Sequence, residues 1–138
     1  MKVIFMGTPD FAVGTLEALH EAGHEITLVV SQPDKPKGRG HALQPTPVKA
    51  AAEQLGLPVF QPAKVREAAD MLEQTPADVI VVAAFGQLIP SRILHMKKFG
   101  CVNVHASLLP KYRGAAPIQW AVIDGEKESG VTIMQMDE

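Results

Sequence analysis

Apolar and polar positions alternate along this chain as short strand-length runs separated by helical spacings. Lys2 to Met6 is an apolar run, Gly7 turns it, and Thr8-Pro9-Asp10 reads as a helix start. There Thr8 is the expected N-cap, Pro9 the first helical residue and Asp10 a first-turn acid. Phe11, Leu16 and Leu19 mark a buried helical stripe that Gly23 stops, and Ile26 to Val30 is a second apolar strand. Gln32 to Thr46 reads as a loop rich in Pro, Gly and Lys, Pro47 to Leu55 as a helix ending near Gly56, and Leu57 to Phe60 as a short strand. Val65 to Gln74 is a further helix. Asp78 to Ala84 is an unbroken apolar run, the signature of a strand buried on both faces of a parallel sheet, so it belongs near the sheet centre. Phe85-Gly86 breaks it, Ser91 to Met96 gives one or two helical turns, and Cys101 to His105 is the next strand. A loop to Pro117, a helix around Ile118, Ala121 and Val122, and an alternating strand from Ser129 to Asp137 complete the pattern. Strands alternating with helices predict a single-domain α/β fold, a doubly wound and mostly parallel sheet with right-handed crossovers. The chain stops at Glu138 with no closing element after its final strand, so a truncated domain is expected.

In such open sheets ligands bind beyond the C-terminal ends of the strands. Three strand ends therefore matter: Gly7-Thr8, Ala84-Phe85-Gly86, and Asn103 to Ser107. At the third, Asn103 and His105 stand at i and i+2, positions that share one face of a strand. The pair suits acyl transfer, because an imidazole titrating near neutrality can take a proton from an amine while an amide N–H holds a developing oxyanion. The plain alternative is a strand-end Asn bonding its own turn and a His satisfied at the surface or in the core. Gly7-Thr8-Pro9-Asp10 occupies the place of a dinucleotide phosphate loop, but G-x-G-x-x-G is absent and Asp10 puts negative charge at the helix N-terminus. A capped strand-to-helix turn explains it better. Lys35, Lys37 and Arg39 fall within five positions of the segment Gln32 to His41. A solvated loop is the ordinary reading of such a cluster, yet a connection of about fifteen residues in a compact domain is unusual and frequently functional.

Composition narrows the setting. The chain has 138 residues, 46% of them hydrophobic, with 13 basic against 15 acidic residues and a formal charge of −2. That is one core-forming domain without the overall basic excess of a general nucleic-acid binder. The single Cys101 excludes an internal disulfide and a multi-cysteine zinc site, favours a reducing, cytoplasmic setting, and is expected to be a small buried residue. No signal peptide or membrane span is expected.

The segment Asn103-Val104-His105-Ala106-Ser107-Leu108-Leu109-Pro110, with Lys111-Tyr112-Arg113-Gly114 behind it, resembles the folate-dependent formyltransferases. These enzymes move a formyl group from 10-formyltetrahydrofolate to an amine on a Rossmann-like α/β domain. The resemblance runs from Gly7-Thr8-Pro9-Asp10-Phe11 through Gln32-Pro33-Asp34 and Gly114-Ala115-Ala116-Pro117-Ile118-Gln119 to Met134-Gln135-Met136-Asp137. It implies that Asn103 polarises the formyl carbonyl and that His105 helps deprotonate the amine. It implies that Ser107, Leu108, Leu109 and Pro110 contribute to the tetrahydrofolate site, and that the loop holding Phe85, Gly86 and Leu88 grips the pterin partly through backbone groups. No metal is implied. The basic loop is similar to the insertion by which some members engage the acceptor end of initiator methionyl-tRNA, with Arg39 in the matching Gly-Arg-Gly and phosphates as partners of Lys35, Lys37 and Arg39. The family's third polar residue is an aspartate in a Gly-Leu-Asp segment that would follow Glu138; Asp137 belongs to the lead-in, so this chain alone is expected to be weak or inactive. The family's C-terminal β-barrel domain has no counterpart in these residues. Formylation of an amino sugar or of glycinamide ribonucleotide is the nearest alternative, followed by a non-catalytic nucleotide-binding module and a pure tRNA-binding module.

Overall fold

The computed structural model describes residues 1–37, 42–106 and 131–136. Its main sheet contains β1 (Lys2–Gly7), β2 (Glu25–Val30), β5 (Val59–Phe60), β6 (Val79–Ala83), β7 (Cys101–Ala106) and β8 (Val131–Gln135), while β3 (Lys35–Lys37) and β4 (Ala42–Gln44) form a separate hairpin. The helices are α1 (Asp10–Glu21), α2 (Pro47–Gln54), α3 (Ala69–Gln74) and α4 (Ser91–Leu94), with a 3-10 turn over Val65–Ala68 leading into α3. The strand order is β5-β2-β1-β6-β7-β8. Neighbours from β5 to β7 run parallel and β8 is antiparallel to β7, as a mostly parallel doubly wound sheet requires.

Alternate residues of the central strands feed two cores. Val3, Phe5, Val79, Val81, Val102 and Val104 pack with Leu16 and Leu19 of α1 and Val48 and Ala52 of α2. Ile4, Met6, Ile80, Val82 and Cys101 pack on the other side with Val65, Leu72, Ile93 and Leu94. All five residues of β6 are buried, so the apolar run read as a central strand is one, wedged between β1 and β7. Each fully buried side chain of this size contributes roughly 1.5–3 kcal/mol relative to exposure, which lets helices as short as α3 and α4 persist without strong intrinsic propensity.

Several expectations need correction. Thr8 does not cap α1; the helix begins one residue later with Pro9 extended at the N-cap (φ −83°, ψ 178°), and no side chain caps it. The Thr8 hydroxyl instead donates to the Phe85 carbonyl at 2.8 Å, a bond between two strand ends that no local pattern announces. The segment from Gln32 to Thr46 is not simply loop, since Lys35–Lys37 pairs antiparallel with Ala42–Gln44. Its residues are mostly exposed and lack apolar alternation, which hides the hairpin from pattern reading. The helix read from Val65 starts as a 3-10 turn whose first N–H is taken by the Gln87 side chain at 2.9 Å. The cap role falls to Thr46, whose hydroxyl accepts from Lys49 N at the start of α2. The expected helix around Ile118 to Val122 lies outside the described residues. No helix among the described residues is long and apolar enough to cross a membrane.

Cys101 is fully buried and its thiol donates to the Ile93 carbonyl at 3.6 Å. Burial disfavours the thiolate and pushes its pKa up to about 12. Ellman's reagent is therefore expected to leave the native chain unlabelled in mildly alkaline buffer and to react with one thiol per chain in denaturant. Rapid labelling of the folded protein would contradict this packing.

Candidate active site

Polar groups become tolerable where β1, β6 and β7 run out of apolar neighbours, and there the chain turns sharply. After β6, Ala84 adopts φ 54° and Gly86 φ 103°, a reversal that favours glycine at position 86. Its backbone is left-handed, and the end of the Gln32 side chain lies beside it, 2.8 Å from where a Cβ would stand. At the end of β1, a Cβ on Gly7 would lie 2.8 Å from both Cβ of Ala12 and the carbonyl oxygen of Ala83, so Gly7 lets α1 press against the strand ends. The loop after β6 is thereby drawn over the mouth of the sheet.

Asn103, on β7 and paired in register with Val82 of β6 and Met134 of β8, lines a cavity of about 440 Å³ at this mouth. Phe11, Phe85, Gln87 and Ile89 share its wall, so the end of β6 and the middle of β7 meet in one crevice. Thr8 reaches the same place through its bond to Phe85. A neighbouring cavity of about 560 Å³ lies along Lys64, Val65, Arg66, Gln87 and Leu88. Gln87 and Ile89 border both, which makes the loop after β6 the partition between a mainly apolar cleft that carries the amides of Asn103 and Gln87 and a cleft edged by two cations.

The residues singled out from sequence separate into groups. Asn103 is in the crevice, and β7 continues unbroken through His105, in register with Thr132. Phe85 is 2% exposed and belongs to the core, so its outward contribution is backbone, whereas Leu88 is 94% exposed beside the second cavity. Lys35 is exposed on β3 and Lys37 ends that strand. Ser107, Leu108, Leu109, Pro110 and Arg39 lie outside the described residues.

Sequence reasoning missed a polar network behind the crevice. Gln87 accepts from Val65 N and donates to the Gln32 side-chain oxygen at 2.9 Å and to the Ala63 carbonyl at 3.1 Å. Gln61 donates to the Gln32 carbonyl at 3.0 Å and to Asp34 at 2.6 Å, and Lys49 pairs with the other Asp34 oxygen at 3.1 Å. Ser31 and Thr46 share a buried hydroxyl bond of 2.6 Å. The usable signal was positional: Ser31 and Gln61 immediately follow apolar strands and Gln32 is one residue further on, as site residues do in sheets of this kind. Their mutual pairing could not be read from the sequence.

A protein-family model described as formyl transferase matches residues 1–138, and the chain belongs to that family. It is 65% identical over 140 residues to a methionyl-tRNA formyltransferase of Agathobacter rectalis, an alignment covering 100% of this chain and 45% of that protein. The corresponding protein of Pelotomaculum thermopropionicum is 60% identical with the same coverage, 100% and 45%. The chain thus spans about 45% of the length of these relatives. Among solved structures, phosphoribosylglycinamide formyltransferase from Bacillus halodurans superposes with a TM-score of 0.62 at 23% identity, over 100% of this chain and 73% of that one. Glycinamide ribonucleotide transformylase 1 from Geobacillus kaustophilus gives 0.61 at 25% identity, over 99% and 74%. The doubly wound architecture is shared with both.

The hydrogen bond from Gln61, then that from Lys49, hold the Asp34 carboxyl below its ordinary 3.8, against a smaller opposing effect of desolvation. A depressed carboxylate adds stability that is complete above 3.8 and is lost as pH falls through the lower folded-state value. The native chain should accordingly be more stable to urea than Asp34→Asn near neutrality, with the gap closing in acid below 3.8. A gap that stays constant through that acid range would remove Asp34 as the electrostatic anchor of this network.

Proposed function

We propose that residues 1–138 are the catalytic region of an enzyme that transfers a formyl group from 10-formyltetrahydrofolate to the α-amine of initiator methionyl-tRNA. The observation that carries this reading is Asn103 on β7, where pairing with β6 stops, in a cavity whose other wall is the Phe85–Ile89 loop. An amide N–H there can donate to the formyl oxygen as it becomes an oxyanion. His105, two residues further along the same strand, takes the proton lost by the attacking amine, and tetrahydrofolate departs as the tetrahedral intermediate collapses. The cavity suits a flat heterocycle: apolar Phe11 and Ile89 can flank a ring, and the backbone groups at Phe85 and Gly86 can read an amide-like edge without charged side chains. Leu88, and Ser107 through Pro110, are the further residues assigned to the folate.

The curated relatives, named as methionyl-tRNA formyltransferases at 60–65% identity, support methionyl-tRNA over another amine as acceptor. The hairpin of β3 and β4, with Lys35 and Lys37 on one strand and Arg39 in its connection, is assigned to the tRNA phosphates.

For an enzyme of the relatives' length carrying this sequence, Asn103→Ala is expected to slow single-turnover formyl transfer by about 10²–10³, the range for a lost oxyanion donor. His105→Ala is expected to slow it by roughly 10²–10⁴. Rates within a few-fold of the unaltered enzyme for both variants would move the chemistry elsewhere.

In the same enzyme Arg39→Ala should weaken Met-tRNA binding and flatten its salt dependence, each lost phosphate contact changing the log–log slope by about 0.7–0.9. Affinity for tetrahydrofolate should not change. Identical tRNA affinity and slope in enzyme and variant would leave the hairpin without a role in RNA binding.

A further inference from the structure

We propose that Gln32 is the positioning residue that joins the basic hairpin to the loop after β6, so that filling the crevice alters the hairpin and binding at the hairpin alters the crevice. The inference rests on the assignment of folate to that loop and of RNA to the hairpin. Gln32 is the second residue after β2 and precedes the hairpin that starts at Lys35. Its backbone N–H donates to Thr8 Oγ1 at 3.3 Å, and the same hydroxyl donates to the Phe85 carbonyl at 2.8 Å. Its side-chain oxygen accepts from Gln87 at 2.9 Å, and its own carbonyl accepts from Gln61 at 3.0 Å. The Gln61 amide also holds Asp34, which Lys49 of α2 fixes from the other side.

One residue is thus bonded toward the crevice twice and toward the hairpin root once, through groups on three different strand ends. The Gln32 side chain also lies against Gly86, its Nε2 2.8 Å from where a Cβ would stand there. β3 and β4 form a sheet apart from the main one, and the root of the hairpin is where Gln32 and Asp34 are gripped. A ligand that shifts Phe85 or Gln87 must therefore shift or break the bonds of Gln32. By linkage the effect is reciprocal, each ligand changing the other's affinity by the same factor.

The test compares Gln32→Met, which keeps the length but removes the acceptor, with Gln32→Glu, which keeps an acceptor for Gln87. Gln87→Met removes the other partner and should behave as Gln32→Met does. In the ligand-free 138-residue chain, amide exchange at Lys35, Lys37 and Ala42 to Gln44 should quicken about 3- to 10-fold in both Met variants, the factor expected from losing one intramolecular hydrogen bond. It should stay near the native rate in Gln32→Glu. On adding tetrahydrofolate, amide resonances of the hairpin should move together with those of Phe85 to Leu88 in the native chain and in Gln32→Glu, but only the loop resonances should move in the Met variants. Unchanged hairpin exchange in the Met variants, or hairpin shifts that survive in them, would overturn the inference. If tetrahydrofolate moves no resonance in any chain, the folate assignment fails and the ligand coupling fails with it; the exchange rates separately decide whether the mechanical join exists.

Discussion

Burial of β6 on both faces governs where this protein can do chemistry. A strand whose neighbours are β1 and β7, and whose faces meet α1 on one side and Val65, Leu72 and Ile93 on the other, has no position along its length where a polar side chain could keep a partner. Polar function is displaced to the point where the strand stops. There the backbone itself becomes the problem, since the carbonyls and amides leaving a parallel sheet need partners that the sheet no longer supplies. The Thr8 hydroxyl and the Gln87 amide answer that need by bonding Phe85, Ala63 and Val65 across the strand ends.

The cleft that results has a rigid back and a changeable front. Its back is the two-sided core and the close contacts at Gly7, where added carbon would collide at 2.8 Å with Ala12 and the Ala83 carbonyl. Its front is built from the loop after β6, which borders two cavities at once and, among the described residues, is tied toward the hairpin root through the Gln87–Gln32 side-chain bond. Loops held this way can change position without disturbing the sheet, because the bonds at stake are worth about 0.5–1.5 kcal/mol each, while the core beneath is far costlier to disturb.

Much of this was legible in the residues. The central strand, the helix stops at Gly23 and Gly56, both with positive φ, and the buried state of Cys101 follow from patterning and from the chemistry of single residues. The family was legible too, since the segments around Asn103 and His105 resemble the folate-dependent formyltransferases and the chain belongs to the formyl transferase family. The hairpin was not legible, because an exposed two-stranded pair of Lys, Pro, Leu and Gln carries no apolar alternation to reveal it. Thr8 was misread for a related reason: a hydroxyl before a helix has a good local partner available, and only the folded chain offers it the Phe85 carbonyl in competition.

What the sequence determined by itself is everything that depends on periodicity and on the identity of single residues: the alternation of strands and helices, burial of β6, and the candidate pair on β7. Tertiary structure alone decided which polar groups meet. Gln32, Gln61 and Gln87 are 29 and 55 positions from one another along the bonds that join them to Gln32, and a glutamine's partner is set by whatever the fold brings within about 3 Å, not by its neighbours in the chain.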